Sequence, residues 1–192
     1  MSETPTDPTP AFAGRDRLLA THRDLLARWR ELLNLVGPGP IDWHYRDAEI
    51  AFRGVDVRGR WADLGTGAGF PGIVVAAQHP AAAIELVDAR RKRCTFLEEV
   101  VERAGAAGVT VRCARIEDLP AGAYDGVTAR ALAPPPEVCA FAARLLRPGG
   151  QAVLLIGDRA TLDLPDGLTL ISDRAYDVDG RAHRVVVLRR AP

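Results

Sequence analysis

The sequence has little lysine, methionine or cysteine. Of its 25 lysine and arginine residues only Lys92 is a lysine, Met1 is the single methionine, and the cysteines are Cys94, Cys113 and Cys139. An odd number of widely spaced cysteines argues against a disulfide framework or a zinc site. We therefore expect buried thiols in a reducing cytosol. Any contact with nucleic acid would rest on arginine, whose planar guanidinium suits phosphates and base edges.

Long hydrophobic runs and an excess of charge are also missing. No stretch approaches the roughly 18 consecutive apolar residues of a membrane span, and the Pro/Thr-rich start lacks the core of a signal peptide. The formal net charge of +0 does not indicate nucleic-acid binding. The 192 residues, 47% of them hydrophobic, suffice for one well-cored domain. We expect a cytoplasmic monomer without a membrane partner or a bound metal.

The chain alternates between helical and extended patterns. Residues 1–13 are predicted to form a disordered tail and residues 14–58 an N-terminal helical extension with an apolar stripe. Strands are predicted at residues 59–64, 83–87, 109–112, 124–129 and 151–156, with helices between them, and two more extended segments at residues 168–176 and 184–190. This order predicts an α/β fold with a mostly parallel sheet and an antiparallel C-terminal hairpin, in which residues 59–192 form a Rossmann-like domain.

A glycine-rich loop follows the first predicted strand. Gly65, Gly67, Gly69 and Gly72 lie within eight residues, directly after the strand-end pair Asp63-Leu64. In an open α/β sheet this loop is where a nucleotide-like cofactor lies. Glycine lets the backbone approach a ligand closely and adopt φ values closed to other residues. The sequence therefore predicts a cofactor site at this turn.

The acids at the strand ends bear on which cofactor binds. Gly67, Gly69 and Gly72 satisfy the dinucleotide pattern GxGxxG, but the carboxylate of Asp63 would repel a pyrophosphate at the helix N-terminus. The same carboxylate favours S-adenosylmethionine, which has an ammonium and a sulfonium group and no phosphate. Asp88, at the end of the second strand, is placed to accept hydrogen bonds from ribose hydroxyls of either cofactor. The alternative for both acids is strand-end capping or surface charge.

Residues after the third strand are candidates for the adenine site. Ile116 could pack on the adenine face, and Glu117 or a backbone group could contact the adenine edge. A solvent-exposed position is the alternative for Glu117.

Several motifs resemble those of one known family. Residues 63–72 read DLGTGAGFPG, residues 92–97 KRCTFL, residues 115–117 RIE and residues 129–133 ARALA. They are similar to the GAGFPG loop, the KRxxFL helix and the R-A/V-E and SRAxA motifs of the RsmG (GidB) family, bacterial methyltransferases that act on N7 of a guanine in 16S ribosomal RNA. Residues 26–37 and 43–48 resemble its LxxWNxxxNLVG and RHxxDS motifs, although Trp43 and Ala48 replace the Arg and Ser. Ile156 stands where the family usually has a Lys.

The resemblance implies a class I methyltransferase fold, S-adenosylmethionine as the cofactor, and small-subunit ribosomal RNA or the 30S subunit as the partner. Together with the strand-end acids and the glycines, the expected cofactor contacts are Asp63, Gly65, Gly67, Gly69, Phe70, Asp88, Ile116, Glu117 and Arg130. The RNA contacts that it implies are Lys92, Arg93 and Arg115.

Methylation at N7 of guanine needs no general base, because this atom already carries an exposed lone pair. We expect catalysis by placing N7 in line with the methyl–sulfur bond, which agrees with a sequence that lacks a recognisable Ser/His/Asp or Cys/His set. Arg130 is the predicted catalytic residue. Its guanidinium could hydrogen-bond the guanine O6 or a phosphate, support the cofactor pocket, or neutralise Asp125.

Two other groups of residues have a structural and a functional interpretation. The basic run at residues 90–93 would begin a helix, where cations oppose the macrodipole, so phosphate contacts are predicted and a solvated face is the alternative. His44 and Asp47 lie three residues apart, and a structural hydrogen bond from the N-terminal segment to the core is favoured over direct catalysis. Three functions stay open: an RNA guanine-N7 methyltransferase, a related methyltransferase acting on a small molecule or protein, and a non-catalytic RNA-binding module.

Overall fold

The computed structural model describes residues 10–37 and 39–192, so most of the predicted tail lies outside the described residues. The helices are α1 (Pro10–Leu33), α2 (Ile41–Ala51), α3 (Gly72–Gln78), α4 (Arg91–Ala104) and α5 (Pro135–Leu145), with a short 3-10 helix at Ile116–Asp118. The strands are β1 (Arg60–Leu64), β2 (Ala83–Asp88), β3 (Val109–Cys113), β4 (Tyr124–Arg130), β5 (Leu146–Gly157), β6 (Leu168–Val178) and β7 (Arg181–Arg190).

The described strands form one sheet in the order β3-β2-β1-β4-β5-β7-β6. Strands β1 to β5 pair in parallel, whereas β7 is antiparallel to both β5 and β6. This arrangement confirms the predicted α/β fold with an antiparallel C-terminal hairpin. The strand order reverses between β1 and β4, and in open α/β sheets ligands bind in the crevice at the carboxyl ends of such a pair.

Two hydrophobic layers cover the sheet. Trp61 faces the layer that contains α3 and α4, and Leu64 faces the layer that contains α5, because successive strand residues point to opposite faces. Leu26 of α1 and Tyr45 of α2 are buried in the first of these layers. The predicted N-terminal extension therefore shares one core with the rest of the chain, and α2 comes to lie beside the crevice.

The structure departs from the predicted elements at several points. Helix α1 already begins at Pro10, within the segment predicted to be a tail, and β5 begins at Leu146 rather than at residue 151, because Leu146 pairs with Tyr124 across a bulge. The prediction of buried thiols holds for Cys94 and Cys139 and is wrong for Cys113, which lies exposed at the end of the edge strand β3.

Within the described ranges no helix is both long and apolar enough to cross a membrane. The same residues contain no group of three or more His, Cys, Asp or Glu side chains arranged to hold a metal ion.

Candidate active site

The loop between β1 and α3 has the backbone that its glycines predict. Gly65, Gly67 and Gly69 have φ angles of 64°, 61° and 98°, in the region that only glycine adopts without strain. A Cβ atom on Gly72 would lie 2.6 Å from Oδ2 of Asp63, so the absence of a side chain lets α3 begin in contact with β1. The loop is thus a tight turn at the carboxyl edge of the sheet.

Asp63 stabilises this turn from inside. Its Oδ2 atom accepts hydrogen bonds from the Thr66 hydroxyl at 2.5 Å and from the Gly72 amide at 2.8 Å. Burial raises the pKa of Asp63 to about 6, and the same two hydrogen bonds act in the opposite direction. The strand-end capping that was the alternative for Asp63 is therefore present. The Oδ1 atom is buried and has no hydrogen-bond partner within the described part of the chain.

Asp88 joins the glycine loop to the start of α4. Its Oδ2 atom accepts from the Gly67 amide at 3.0 Å and from Nη1 of Arg93 at 3.2 Å, and its Oδ1 atom accepts from the Arg90 amide at 2.8 Å. The carboxylate lies at the end of β2, in the expected position beside the loop.

The contact with Asp88 changes the role expected of Arg93. Its side chain is only 23% exposed, because the guanidinium turns inward to Asp88. In this ion pair, the guanidinium does not point to the solvent-exposed surface where RNA would bind. Lys92 and Arg115, the other two predicted RNA contacts, are exposed. The basic run is therefore divided between the crevice and the surface.

The predicted adenine contacts lie in the 3-10 helix that follows β3. Ile116 is half-buried, and its carbonyl accepts a hydrogen bond from Nη2 of Arg144 at 2.6 Å. Glu117 is exposed. Both residues lie at the same edge of the sheet as Asp63 and Asp88, since all three strands are parallel.

Arg130, the last residue of β4, lies where several elements meet. Its Nη1 atom donates to Oδ2 of Asp47 at 3.0 Å and lies 3.2 Å from Nδ1 of His44. The guanidinium carbon lies 5.2 Å from the ring centroid of Phe70 in the glycine loop, a cation–π contact. The side chain of Arg130 is 19% exposed. Arg130 thus connects the loop, β4 and α2.

The alternative that Arg130 neutralises Asp125 is excluded, because Asp125 has other partners. Asp125 lies near the other end of β4, where it pairs with Arg147 and accepts a hydrogen bond from the backbone amide of Arg60 at 2.7 Å.

Directly after Arg130, Ala131 has a φ of 50°, a conformation that residues other than glycine rarely adopt. Such backbone strain is concentrated at functional sites.

Helix α2 supplies two groups to this junction. The ring of His44 stacks on Phe70 with centroids 5.2 Å apart, and burial together with the charge of Arg130 lowers the pKa of His44 to about 4. The neutral imidazole can therefore accept a hydrogen bond from Arg130. Asp47 also accepts, through Oδ1, from the Tyr176 hydroxyl of β6 at 2.7 Å. These contacts confirm the predicted structural link between the N-terminal segment and the core.

His22 was not predicted as part of the site. It is fully buried on α1, with Nε2 2.6 Å from the carbonyl oxygen of Ala68 and Nδ1 2.6 Å from the Tyr45 hydroxyl. Because a carbonyl only accepts, Nε2 carries the proton and Nδ1 accepts from the tyrosine. Burial lowers the pKa of His22 to about 4. Its position on the apolar stripe of α1, between Leu18 and Leu26, is the sequence signal that could have identified it.

Solved structures share this fold at low sequence identity. A mutant of MtNAS in complex with S-adenosylmethionine matches with a TM-score of 0.63 and 17% identity, over 93% of this chain and 74% of that chain. TrmN from Thermus thermophilus matches with a TM-score of 0.60 and 22% identity, over 81% and 55%. The cyclase SpnF matches with a TM-score of 0.62 and 16% identity, over 100% and 99%. At these identities the likeness shows the fold and leaves the reaction open.

The strand order, the glycine loop after β1 and the acid at the end of β2 are those of a Rossmann-like domain, and the match to a family model identifies the class of protein as methyltransferases that use S-adenosylmethionine. The GidB model, described as rRNA small subunit methyltransferase G, matches residues 16–173. The chain belongs to this family.

Curated relatives agree with this assignment. The ribosomal RNA small subunit methyltransferase G of Paracoccus denitrificans is 36% identical over 147 residues, which span 72% of this chain and 75% of the relative. The protein of the same name from Rhodopseudomonas palustris is 34% identical over 187 residues, 91% of this chain and 77% of the relative.

Proposed function

We propose that this protein transfers the methyl group of S-adenosylmethionine to N7 of a guanine in small-subunit (16S) ribosomal RNA. Membership of the rRNA small subunit methyltransferase G family supports the reaction. The structural observation that carries the proposal is the position of Arg130, whose guanidinium lies at the crevice, over Phe70 of the glycine loop, and is held by Asp47. This arrangement supports a role for Arg130 as a hydrogen-bond donor to the acceptor base beside the glycine loop.

The residues around the loop fit S-adenosylmethionine. The free Oδ1 atom of Asp63 is a buried carboxylate oxygen without a partner among the described residues, and a cationic ligand would satisfy it. Asp88 is assigned to the ribose hydroxyls. The remaining proposed contacts are the backbone of Gly65, Gly67, Gly69 and Phe70, whose ring is buried, and the side chains of Ile116, Glu117 and Arg130. When bound, this cofactor supplies an electrophilic methyl group on a sulfonium.

Arg130 is proposed to hold the guanine in line for attack. Its guanidinium has five N–H donors, and Nη1 serves Asp47 and His44, so other donors are available for the guanine O6 next to N7. Methylation at N7 leaves a positive charge on the base. The carboxylate of Asp47 compensates the charge of Arg130, so the donor can lie beside this charge with less repulsion.

Exposed cations near the crevice are proposed to hold the RNA. Lys92 lies in the first turn of α4, and Arg115 precedes the 3-10 helix, so both lie at the carboxyl edge of the sheet. Phosphate contacts supply affinity and position, while the base contacts supply specificity. We propose that a cytoplasmic monomer without a metal acts on small-subunit RNA, free or in the 30S subunit.

The test uses 30S subunits from cells that lack the modification. We expect the wild-type protein to methylate them at a single guanine, mapped as N7-methylguanine. Arg130→Ala should lower kcat/KM roughly 100-fold, the usual effect of removing one donor that acts on the reacting group. Arg58→Ala, at the opposite edge of the sheet, is the matched control.

Lack of transfer by the wild-type protein, with intact S-adenosylmethionine binding, would contradict the proposal. It would favour a methyltransferase acting on a small molecule or protein, or a non-catalytic RNA-binding module.

A further inference from the structure

A cavity of about 400 Å³ lies at the carboxyl ends of β4 and β5, next to Arg130. Trp43 of α2 forms one part of its wall, and Tyr176 and His183 of the β6–β7 hairpin form another. Ile156 at the end of β5 adds apolar surface. Cavities of this size, mostly apolar with a few polar groups, are typical of sites for small ligands.

His183 is held in this wall by two aromatic rings. Its ring centroid lies 5.1 Å from that of Trp43 and 5.6 Å from that of Tyr176. Both neighbours are themselves fixed: Nε1 of Trp43 donates to the Val178 carbonyl at 3.4 Å, and the Tyr176 hydroxyl donates to Asp47. The orientation of the imidazole is therefore set before any ligand binds.

One atom of His183 lacks a partner. The Nε2 atom is buried and makes no hydrogen bond with any described residue. A buried polar atom is normally paired, because leaving it unpaired forfeits its interaction with water. His183 lines the cavity, so a ligand there that hydrogen-bonds its ring would offset this cost.

The cavity adjoins the cofactor loop. Arg130 lines the cavity, and its guanidinium also lies over the ring of Phe70 in the glycine loop. His44 lines the cavity as well and stacks on the same ring. The cavity therefore shares Arg130 and His44 with the surroundings of the glycine loop.

We propose that this cavity receives the target guanine, turned out of its RNA strand, and that His183 hydrogen-bonds an edge of the base other than N7. Enzymes that modify a base extrude it into a pocket, stack it on aromatic or apolar side chains and contact its edge with polar groups. Trp43 supplies the aromatic surface. The guanine edge offers both N–H donors and the O6 acceptor, and an imidazole nitrogen can serve either. This inference rests on the proposed function.

The test separates seating of the base from affinity for the subunit and for the cofactor. We would measure kcat, KM for unmethylated 30S subunits and the Kd of S-adenosylmethionine for Trp43→Ala, His183→Leu and His183→Gln. We expect Trp43→Ala and His183→Leu to lower kcat roughly tenfold, in line with one base–aromatic stack or one lost hydrogen bond. KM and Kd should stay within about twofold, because phosphate contacts dominate RNA affinity.

Matched controls come from the same residue types elsewhere. Trp29→Ala changes a partly exposed tryptophan of α1, and His79→Leu a histidine just after α3, at the other edge of the sheet. Both should keep the wild-type values. His183→Gln retains a side chain that can hydrogen-bond and should recover part of the kcat lost in His183→Leu.

The measured kcat and Kd values decide whether the cavity binds the guanine, binds the cofactor or does neither. Wild-type kcat in both Trp43→Ala and His183→Leu would overturn the inference. So would a loss of S-adenosylmethionine affinity equal to the loss of kcat, which would make the cavity part of the cofactor site. If thermal melting shows that His183→Leu is unfolded, Trp43→Ala and His183→Gln decide. A wild-type protein that does not methylate the subunits overturns the proposed function and this inference together, whereas an active wild type with unaffected Trp43→Ala and His183→Leu variants overturns this inference alone.

Discussion

Nη1 of Arg130 donates to Oδ2 of Asp47 across 3.0 Å and so joins the carboxyl end of β4 to helix α2. The two side chains are 19% and 2% exposed, so this ion pair is largely shielded from water. Because Asp47 also accepts from Tyr176 of β6, one carboxylate fixes three elements around the crevice. The geometry of the proposed active site depends on it.

Asp47→Ala should therefore destabilise the protein and lower its activity. Removing one partner of a buried ion pair leaves the other charge uncompensated, at a cost of about 3 kcal/mol in the free energy of unfolding. Urea unfolding measures this loss. Arg46→Ala on the same helix is the control, because it breaks an exposed pair with Asp179 and should cost less than about 1 kcal/mol. Equal losses in the two variants would contradict the role of Asp47.

Asp63→Asn should weaken the binding of S-adenosylmethionine and remove its dependence on pH. Burial raises the pKa of Asp63 to about 6, so in the wild type the carboxylate ionises between pH 5 and 7 and affinity for the cationic ligand rises with pH. The variant should bind roughly tenfold more weakly at pH 7, the lower range for a hydrogen bond to a charged group. Calorimetric titration across this range tests it. A wild-type affinity independent of pH would count against Asp63 as a cofactor contact.

The contribution of His22 to the stability of the protein should fall as pH drops from 6.5 to 4. The unfolded chain takes up a proton on His22 near pH 6.5, whereas burial lowers the folded pKa of His22 to about 4, so the unfolded state binds more protons in this window. For His22 the loss is on the order of 3 kcal/mol at the acid end. His22→Gln should show a shallower decline of melting temperature with falling pH, and His79→Gln should keep most of it. Parallel curves for the wild type and His22→Gln would contradict this prediction.

Gly65→Ala should cost more than Gly105→Ala, although both glycines have a φ of 64°. The left-handed backbone costs a residue with a Cβ atom about 1 kcal/mol at either position. At Gly105 a Cβ atom would meet nothing within 4 Å, whereas at Gly65 it would overlap Cδ1 of Leu132, a half-buried side chain that would have to turn away. We expect a further loss of about 0.5–1.5 kcal/mol for Gly65→Ala, the cost of a strained Leu132 rotamer, together with reduced S-adenosylmethionine binding. Thermal melting and titration of both variants measure the difference.

Lys92→Ala and Arg115→Ala should weaken RNA binding without changing cofactor binding. Each removes one phosphate contact, so the slope of log K against log salt should fall in magnitude by about 1 and KM for the subunit should rise. Arg58→Ala, whose side chain is 85% exposed at the opposite edge, should leave the slope unchanged. The same slope in all three variants would place the RNA surface elsewhere on the molecule.

The fold could be predicted because its signals are local. Alternating strand and helix patterns, the glycines at 65, 67 and 69 and the acids that end β1 and β2 all lie within short stretches of sequence. Parallel strands then bring their carboxyl ends to one edge, so Asp63 and Asp88 had to lie near each other. The positive φ angles of the loop agree with this reasoning.

The rest of the site depends on contacts between distant parts of the chain. Asp47 and Tyr176 are 129 residues apart, and no local pattern pairs them. The spacing of the basic run could not show that Arg93 turns inward to Asp88, because this depends on how α4 is rotated against β2. The aromatic contacts of His183 depend on how the C-terminal hairpin folds over α2.

The hydrogen bond from His22 to the Ala68 carbonyl joins the first helix to the glycine loop, where the cofactor is proposed to bind. Ordering of α1 and binding of a cofactor at this loop are therefore linked. Each must change the free energy of the other by the same amount. If binding of the cofactor orders the loop, it also slows the opening of α1, and amide hydrogen exchange along that helix would measure this effect. Conversely, a partner that binds α1 would change the affinity for the cofactor without contacting the glycine loop.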